Sequence, residues 1–352
     1  MDGNYIIGGK LLATGSKSCI FRPNITCNTN KKIKKSKISK IIYGPKSNSL
    51  LKQEKSINEK IRRIKGYNKW ALTYEHYCKP DKYNKLIIYD KDMEKCLKDI
   101  KTPDAINKFN KVSVMMIGNY GGITLETYFE KHFSNISKQN LRKEFLKLMK
   151  KMEPLFLGLN EMEKKKIIHK DIKYNNVVIH QNIFKFIDFG LASELKDFNH
   201  FKDRALNEFN TNRLYSWYPL EYIFNFSNND ELDYEINRIL INKPRKGMDL
   251  FVTFNKIFQR DINLMYDETI QRIKNRLVDT KKMFSLIDVY SLGIMVPLLF
   301  LTKSSITNPY DYDVCISEFY GLFSKMTEPI YTQRIEPGTC YSTFSELLKK
   351  YS

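Results

Sequence analysis

Between Ile167 and Gly190 the chain reads IIHKDIKYNNVVIHQNIFKFIDFG, which brings Asp171, Lys173, Asn176 and Asp188 into one short stretch. A carboxylate, a cation, an amide oxygen and a second carboxylate at this spacing suit transfer of a phosphoryl group. In that reaction the protein supplies little covalent chemistry and acts by positioning the nucleophile and neutralising charge on the phosphate oxygens. Val177 to Ile179 and Ile183 to Ile187 flank the polar turn His180-Gln181-Asn182, a pattern that predicts a hairpin with Asn176 and Asp188 at its two ends. Two oxygen ligands of one Mg²⁺, a hard cation, need such closeness.

His169, Lys170 and Asp171, followed by Lys173, Asn176 and then Asp188-Phe189-Gly190, resemble the catalytic loop and metal-binding motif of the eukaryotic-type protein kinase family. Either motif alone is a weak signal; their joint order and spacing make the match specific. The resemblance implies that Asp171 orients the substrate hydroxyl and accepts its proton, that Lys173 contacts the γ-phosphate, and that Asn176 and Asp188 hold Mg²⁺. It implies ATP as donor and protein substrates, and Lys173 resembles the serine/threonine branch. Asp288 to Gly293, DVYSLG, is similar to the family's central-helix motif, whose Asp braces the catalytic-loop backbone. Pro219-Leu220-Glu221 resembles the motif closing the activation segment, with Arg334 as the expected partner of Glu221. The implied fold is α+β and two-lobed: a small β-rich lobe over 1–121, and a larger, mainly helical lobe over 122–352 with an insertion at 222–287.

Several elements must position these groups. Residues 11–21, LLATGSKSCIF, read as strand, tight turn and strand. Leu12, Ala13, Gly15 and Ser18 fall in the stretch that matches the family's glycine-rich loop, with one glycine where the family has three, and Ile20 falls where an apolar residue covers adenine. Lys40, in a strand over Lys37 to Tyr43, matches the lysine that pairs with the α/β-phosphates. Its expected ion-pair partner is Glu54, which borders the apolar face set by Ile57 and Ile61 on a helix from Ser49 to Lys65, whereas Glu59 falls on a more solvated side. Strands are expected at 71–78 and 111–117, with a polar insertion between them that carries a helix near Asp92 to Ile100. Val114 to Gly122 resembles the strand-to-hinge segment: Met116 would guard the back of the nucleotide pocket, and Ile117, Gly118 and Asn119 would offer backbone hydrogen bonds to adenine. A helical stripe from Leu141 to Leu159 leads into the catalytic loop, with Pro154 as a possible kink, and 288–301 reads as a core helix.

The chain also departs from the family pattern. Lys170 stands where an Arg commonly binds an activation-loop phosphate, and lysine lacks the planar fork. Control by phosphorylation of that loop is therefore not expected, although Ser193, Thr211, Tyr215 and Ser216 are available. The long 222–287 connection and the loose glycine loop resemble the divergent serine/threonine kinases of large nucleocytoplasmic DNA viruses, and the heavy use of Lys, Asn and Ile agrees. The 59 basic residues against 39 acidic give a net charge of +20, which favours anionic partners. Six cysteines without a CxxC pair point to free thiols in a reducing compartment. The first ten residues lack an apolar leader core, and the longest apolar run, Ile294 to Leu301, is too short to cross a bilayer. The expectation is a soluble protein of host cytoplasm or virion. A pseudokinase scaffold and a small-molecule phosphotransferase compete with the kinase reading; relatives of the second kind generally lack the DVYSLG and Pro-x-Glu elements.

Overall fold

Alternating side chains between Lys10 and Asn119 build one antiparallel sheet of five strands: β1 (Lys10–Thr14), β2 (Ser18–Arg22), β3 (Lys37–Ile42), β4 (Tyr74–Cys78) and β5 (Val114–Asn119), in the order β1-β2-β3-β5-β4. The computed structural model describes residues 9–15, 18–28, 34–89, 92–98, 100–197 and 279–352, with Pro219, Phe258, Arg260 and Gln271. By internal contacts the chain divides into two units, Met1–Gly122 with Ile187–Gly190, and Ile123–Phe186 with Leu191–Ser352.

In the first unit the period of two along each strand loads both faces of the sheet. Cys19, Phe21, Ile41, Met115 and Ile117 belong to one core cluster; Ile42, Tyr74, Val114 and Met116 belong to another. The second face receives α1 (Ser47–Arg62) through Leu50 and Leu51. Glu54, Ile57, Asn58 and Ile61 are buried along α1, spaced at three, four and seven residues, as one helical face requires.

The segment between β4 and β5 holds more structure than its polar sequence suggested: α2 (Tyr83–Tyr89), α3 (Asp92–Cys96) and α4 (Pro103–Val112). The start of α4 follows from its ends. Thr102 Oγ1 accepts the Ala105 N–H at 3.2 Å, and Pro103 occupies the first turn, where its missing N–H costs nothing. Because α4 runs to Val112, the strand expected at 111–117 begins at Val114 instead.

The cysteines also differ from expectation. Cys19 is joined to Cys96 and Cys27 to Cys78, while Cys315 and Cys340 are free and buried. The partners lie 77 and 51 residues apart in sequence, so no local spacing announces them. The argument for a reducing compartment, which rested on free thiols, loses its basis.

The second unit contains α5 (Leu125–Phe133), α6 (Lys138–Lys164), α7 (Thr280–Ser285), α8 (Ile287–Lys303), α9 (Val314–Met326) and α10 (Pro337–Tyr351). Two small antiparallel pairs join them: β6 (Ile167–Ile168) with β9 (Ser193–Glu194), and β7 (Val177–His180) with β8 (Ile183–Phe186). The α6 helix continues through Pro154 and packs on α10, where Phe156 and Phe344 stack with centroids 3.8 Å apart. Apolar around nearly its whole circumference, α8 forms the centre of this unit. Among the described residues, Lys281–Lys303 is the one helical stretch long and apolar enough to cross a membrane, and 89% of that window is buried in the protein. At Gly293 an added Cβ would stand 2.5 Å from Met326 Cβ, so glycine lets α8 approach α9 closely.

Candidate functional site

The sequence-predicted residues gather into two clusters, one in each unit. In the first, β3 carries Lys40 opposite Met116 of β5, with Lys40 facing the α1 side of the sheet. Lys40 Nζ lies 3.2 Å from Glu54 Oε2 and 2.7 Å from Asp188 Oδ1. Glu54 is buried, while Glu59 keeps 42% of its side chain exposed and lies 4.0 Å from Lys55. Burial works against the charge on Lys40, but Asp188 and Glu54 outweigh it and hold the ammonium's pKa well above its ordinary value. For Glu54 burial dominates over the attraction of Lys40, and its pKa rises to about 7.

Two glycines allow this packing. A Cβ on Gly190 would lie 3.1 Å from Glu54 Oε2 and 3.3 Å from Asp188 Oδ1, so a larger residue would press on both carboxylates. A Cβ on Gly118 would lie 3.2 Å from both Thr73 O and Tyr74 Cδ1. Tyr74 uses that room and sets its ring 5.9 Å from Lys40 Nζ. Nothing in the sequence marked Tyr74, which reads as one more aromatic in a strand. Met116 is fully buried beside it. Ile117, Gly118 and Asn119 lie within β5, and Gly118 faces both Ile38 of β3 and Tyr74 of β4. These three residues were expected to offer backbone hydrogen bonds to adenine; a strand with neighbours on both sides directs its backbone groups into the sheet.

The β1–β2 hairpin matches the strand-turn-strand pattern. Ala13 stands opposite Ile20 and Thr14 opposite Cys19, with a bulge between Leu11 and Ala13. The Gly15 N–H donates to Ser18 O at 2.7 Å, closing the turn. Leu12, Ala13 and Gly15 are exposed, and Ser18 and Ile20 are half-buried.

In the second unit the loop after β6 is tied down from inside. Asp288, at the start of α8, accepts the His169 N–H at 2.6 Å and the Lys170 N–H at 2.9 Å, and all three residues are buried. Burial raises the Asp288 carboxyl pKa against the opposing pull of His169 and the two amide bonds. Lys170 sits at φ 63°, a left-handed backbone that favours glycine; the Asp288 bond helps to hold it there. The Asp171 N–H donates to His169 Nδ1 at 3.3 Å. Lys173 Nζ lies 3.0 Å from both carboxylate oxygens of Asp171, and Asn176 Nδ2 donates to Asp171 O at 2.9 Å and Oδ2 at 2.8 Å. The Asp171 carboxylate is thus fixed by a cation and an amide on a loop that Asp288 braces.

Asn176 immediately precedes β7, and β7 pairs with β8 from Val177↔Phe186 to His180↔Ile183. Both described side-chain bonds of Asn176 use Nδ2, which leaves Oδ1 as the atom suited to a hard cation. Asp188 keeps 37% of its side chain exposed and has φ 61°. Each residue offers an oxygen of the kind that a hard cation such as Mg²⁺ takes. Arg334 is buried and donates to Glu328 O at 2.9 Å and to Leu286 O at 3.3 Å. Its expected partner Glu221 lies outside the described residues, as do Leu220, Thr211, Tyr215, Ser216 and most of 222–287.

A search of curated proteins finds no match. Residues 96–218, about a third of the chain, match the family model for the protein kinase domain. The matched stretch takes in Asp171, Lys173, Asn176 and Asp188 and stops short of Asp288. It supports a protein kinase relationship and phosphotransfer to proteins, and a sheet-rich first unit with a mainly helical second unit is compatible with a two-lobed kinase fold.

Proposed function

We propose that this chain is a Mg²⁺- and ATP-dependent protein kinase acting on serine or threonine hydroxyls. The observation that carries the reading is the Asp171 carboxylate, held by Lys173 and Asn176 on a loop whose backbone is anchored to Asp288. A carboxylate so fixed can orient a hydroxyl and receive its proton as the oxygen attacks. Lys173 can move its charge from Asp171 to the transferring phosphate without leaving the loop. Lys40, positioned by Glu54, supplies a cation for the α- and β-phosphates of ATP.

Asn176 and Asp188 are the residues that would hold Mg²⁺, which when bound neutralises phosphate charge. Leu12, Ala13, Gly15, Ser18 and Ile20 would line the nucleotide, with Met116 and Gly118 behind it. The resemblance of Lys173 to the serine/threonine branch supports the choice of hydroxyl, and the long connection before α8 supports kinship with the kinases of large DNA viruses. The test is transfer of labelled phosphate from ATP to casein and myelin basic protein, with and without Mg²⁺, followed by phosphoamino-acid analysis. Mg²⁺-dependent label on serine or threonine is expected. Label on tyrosine would overturn the substrate assignment, and phosphorylation of choline or an aminoglycoside in place of protein would overturn the class.

A further inference from the structure

The β1–β2 hairpin has one glycine where its resemblance leads one to expect three, yet it is fastened to the rest of its unit by an unusual set of bonds. The chain leaves β4 at one edge of the sheet and reaches β1 at the other edge before α4 returns it to β5. Along that path, residues 78–96 are stitched to residues 11–28 repeatedly. Cys78 is joined to Cys27, and the Asn28 N–H donates to Lys79 O at 3.1 Å. Thr26 Oγ1 donates to Asp81 Oδ2 at 3.0 Å. Cys96 is joined to Cys19 inside β2, next to Ile20, and Asp92 Oδ2 accepts the Leu11 N–H of β1 at 3.2 Å.

The last two bonds act on the hairpin itself. Among the described residues β1 is an edge strand, with no strand on its outer side to receive its N–H groups, and Asp92 takes one at the bulge beside Leu12. The Cys19–Cys96 bond holds the paired strand from the sheet face where both cysteines are buried. We propose that residues 78–89 and 92–96 form a clasp that positions the β1–β2 hairpin for nucleotide, and that through its disulfides nucleotide affinity follows the thiol–disulfide state of the protein. The proposal rests on the kinase reading. When a dithiol reductant opens one bond, the S–S bond breaks and two cysteine thiols form; two electrons and two protons come from the reductant, which closes to its own disulfide.

A released hairpin spends only part of its time in the binding geometry, and apparent affinity falls by that fraction. The test is binding of a fluorescent ATP analogue with Mg²⁺ to four forms of the full chain: oxidised, dithiothreitol-reduced, Cys19→Ser with Cys96→Ser, and oxidised Asp92→Asn. Hydrogen exchange over residues 10–22 is followed in parallel. Reduction and the double-serine variant are expected to weaken binding roughly fivefold to tenfold, for a competent fraction of about 0.1–0.2, and to speed exchange in the hairpin. Asp92→Asn, which keeps both disulfides and so guards against a folding failure, is expected to speed exchange at Leu11 with a smaller loss of affinity. Equal affinity and exchange in all four forms would overturn the clasp and leave the kinase reading standing. No binding to the oxidised protein would overturn both.

Discussion

Replacing Asp288 by Asn tests the brace under the Asp171 loop. The carboxylate accepts two buried N–H groups, from His169 and Lys170. Asparagine keeps one acceptor oxygen but turns an NH₂ toward the second N–H, so one buried donor loses its partner, at a cost of about 1–3 kcal/mol. Opposing this, the neutral amide escapes the burial cost that raises the Asp288 pKa, which places the net effect toward the lower end. For a unit of this size the loss amounts to a melting-point decrease on the order of 2–8 °C. Lys170, freed at φ 63°, relaxes toward an ordinary backbone conformation, and Asp171, the next residue, moves with it. The expected result is a modest thermal shift together with a fall in kcat of roughly tenfold to a hundredfold, while nucleotide affinity stays near wild type. Thermal melts, steady-state phosphate transfer and nucleotide titration read the three quantities. Wild-type kcat in a variant whose melting point has dropped would refute the idea that this brace positions Asp171.

Other perturbations bear on both units. Because the folded Glu54 pKa is about 7 against an ordinary 4.5, the folded state holds this proton more tightly than the unfolded chain; Glu54 therefore favours folding at low pH, and that contribution, on the order of 3 kcal/mol, is lost as pH rises from 4.5 to 7. Its ion pair with Lys40 is complete only above that window, so nucleotide affinity should rise from pH 6 to 8, and Glu54→Gln should abolish the rise in a pH titration. Gly190→Ala places a Cβ 3.1 Å from Glu54 Oε2 and should weaken Mg²⁺-ATP binding by about 1–2 kcal/mol, measured by calorimetry; an unchanged affinity would show that the carboxylates give way freely. Gly293→Ala forces α8 and α9 apart and should cost about 1–3 kcal/mol in denaturant unfolding with the ATP affinity kept. A non-reducing peptide map should recover Cys19 with Cys96 and Cys27 with Cys78, and reduction should lower the melting point, since each bond contributes on the order of 2–4 kcal/mol.

What could be read from the sequence followed the range of the interaction. The β7–β8 hairpin was legible because apolar alternation on both sides of His180-Gln181-Asn182 is a local signal, and β3 and α1 were legible for the same reason. The place of Glu54 followed from helical spacing to Ile57 and Ile61, since all three share one buried face. Other features depend on partners far along the chain. Cys19 and Cys96 carry no mark of one another, and of the three short helices in residues 79–112 only the one near Asp92 was legible; α2 and α4 were not, and α4 starts on a single cap, Thr102. Ile117, Gly118 and Asn119 were expected to offer backbone groups to adenine, but β3 extends β5 through all three and β4 pairs as far as Gly118. Tyr74 owes its place beside Lys40 to the room that Gly118 leaves, a tertiary effect with no local mark in the sequence.

The most direct test of the central claim compares wild type with Asp171→Asn in Mg²⁺-ATP phosphate transfer to a protein substrate. Asparagine preserves the size of the side chain and its contact with Asn176 but cannot accept the hydroxyl proton. The account predicts a fall in transfer rate of roughly 10²–10⁴, with folding and nucleotide affinity retained. Equal rates in the two proteins would contradict it.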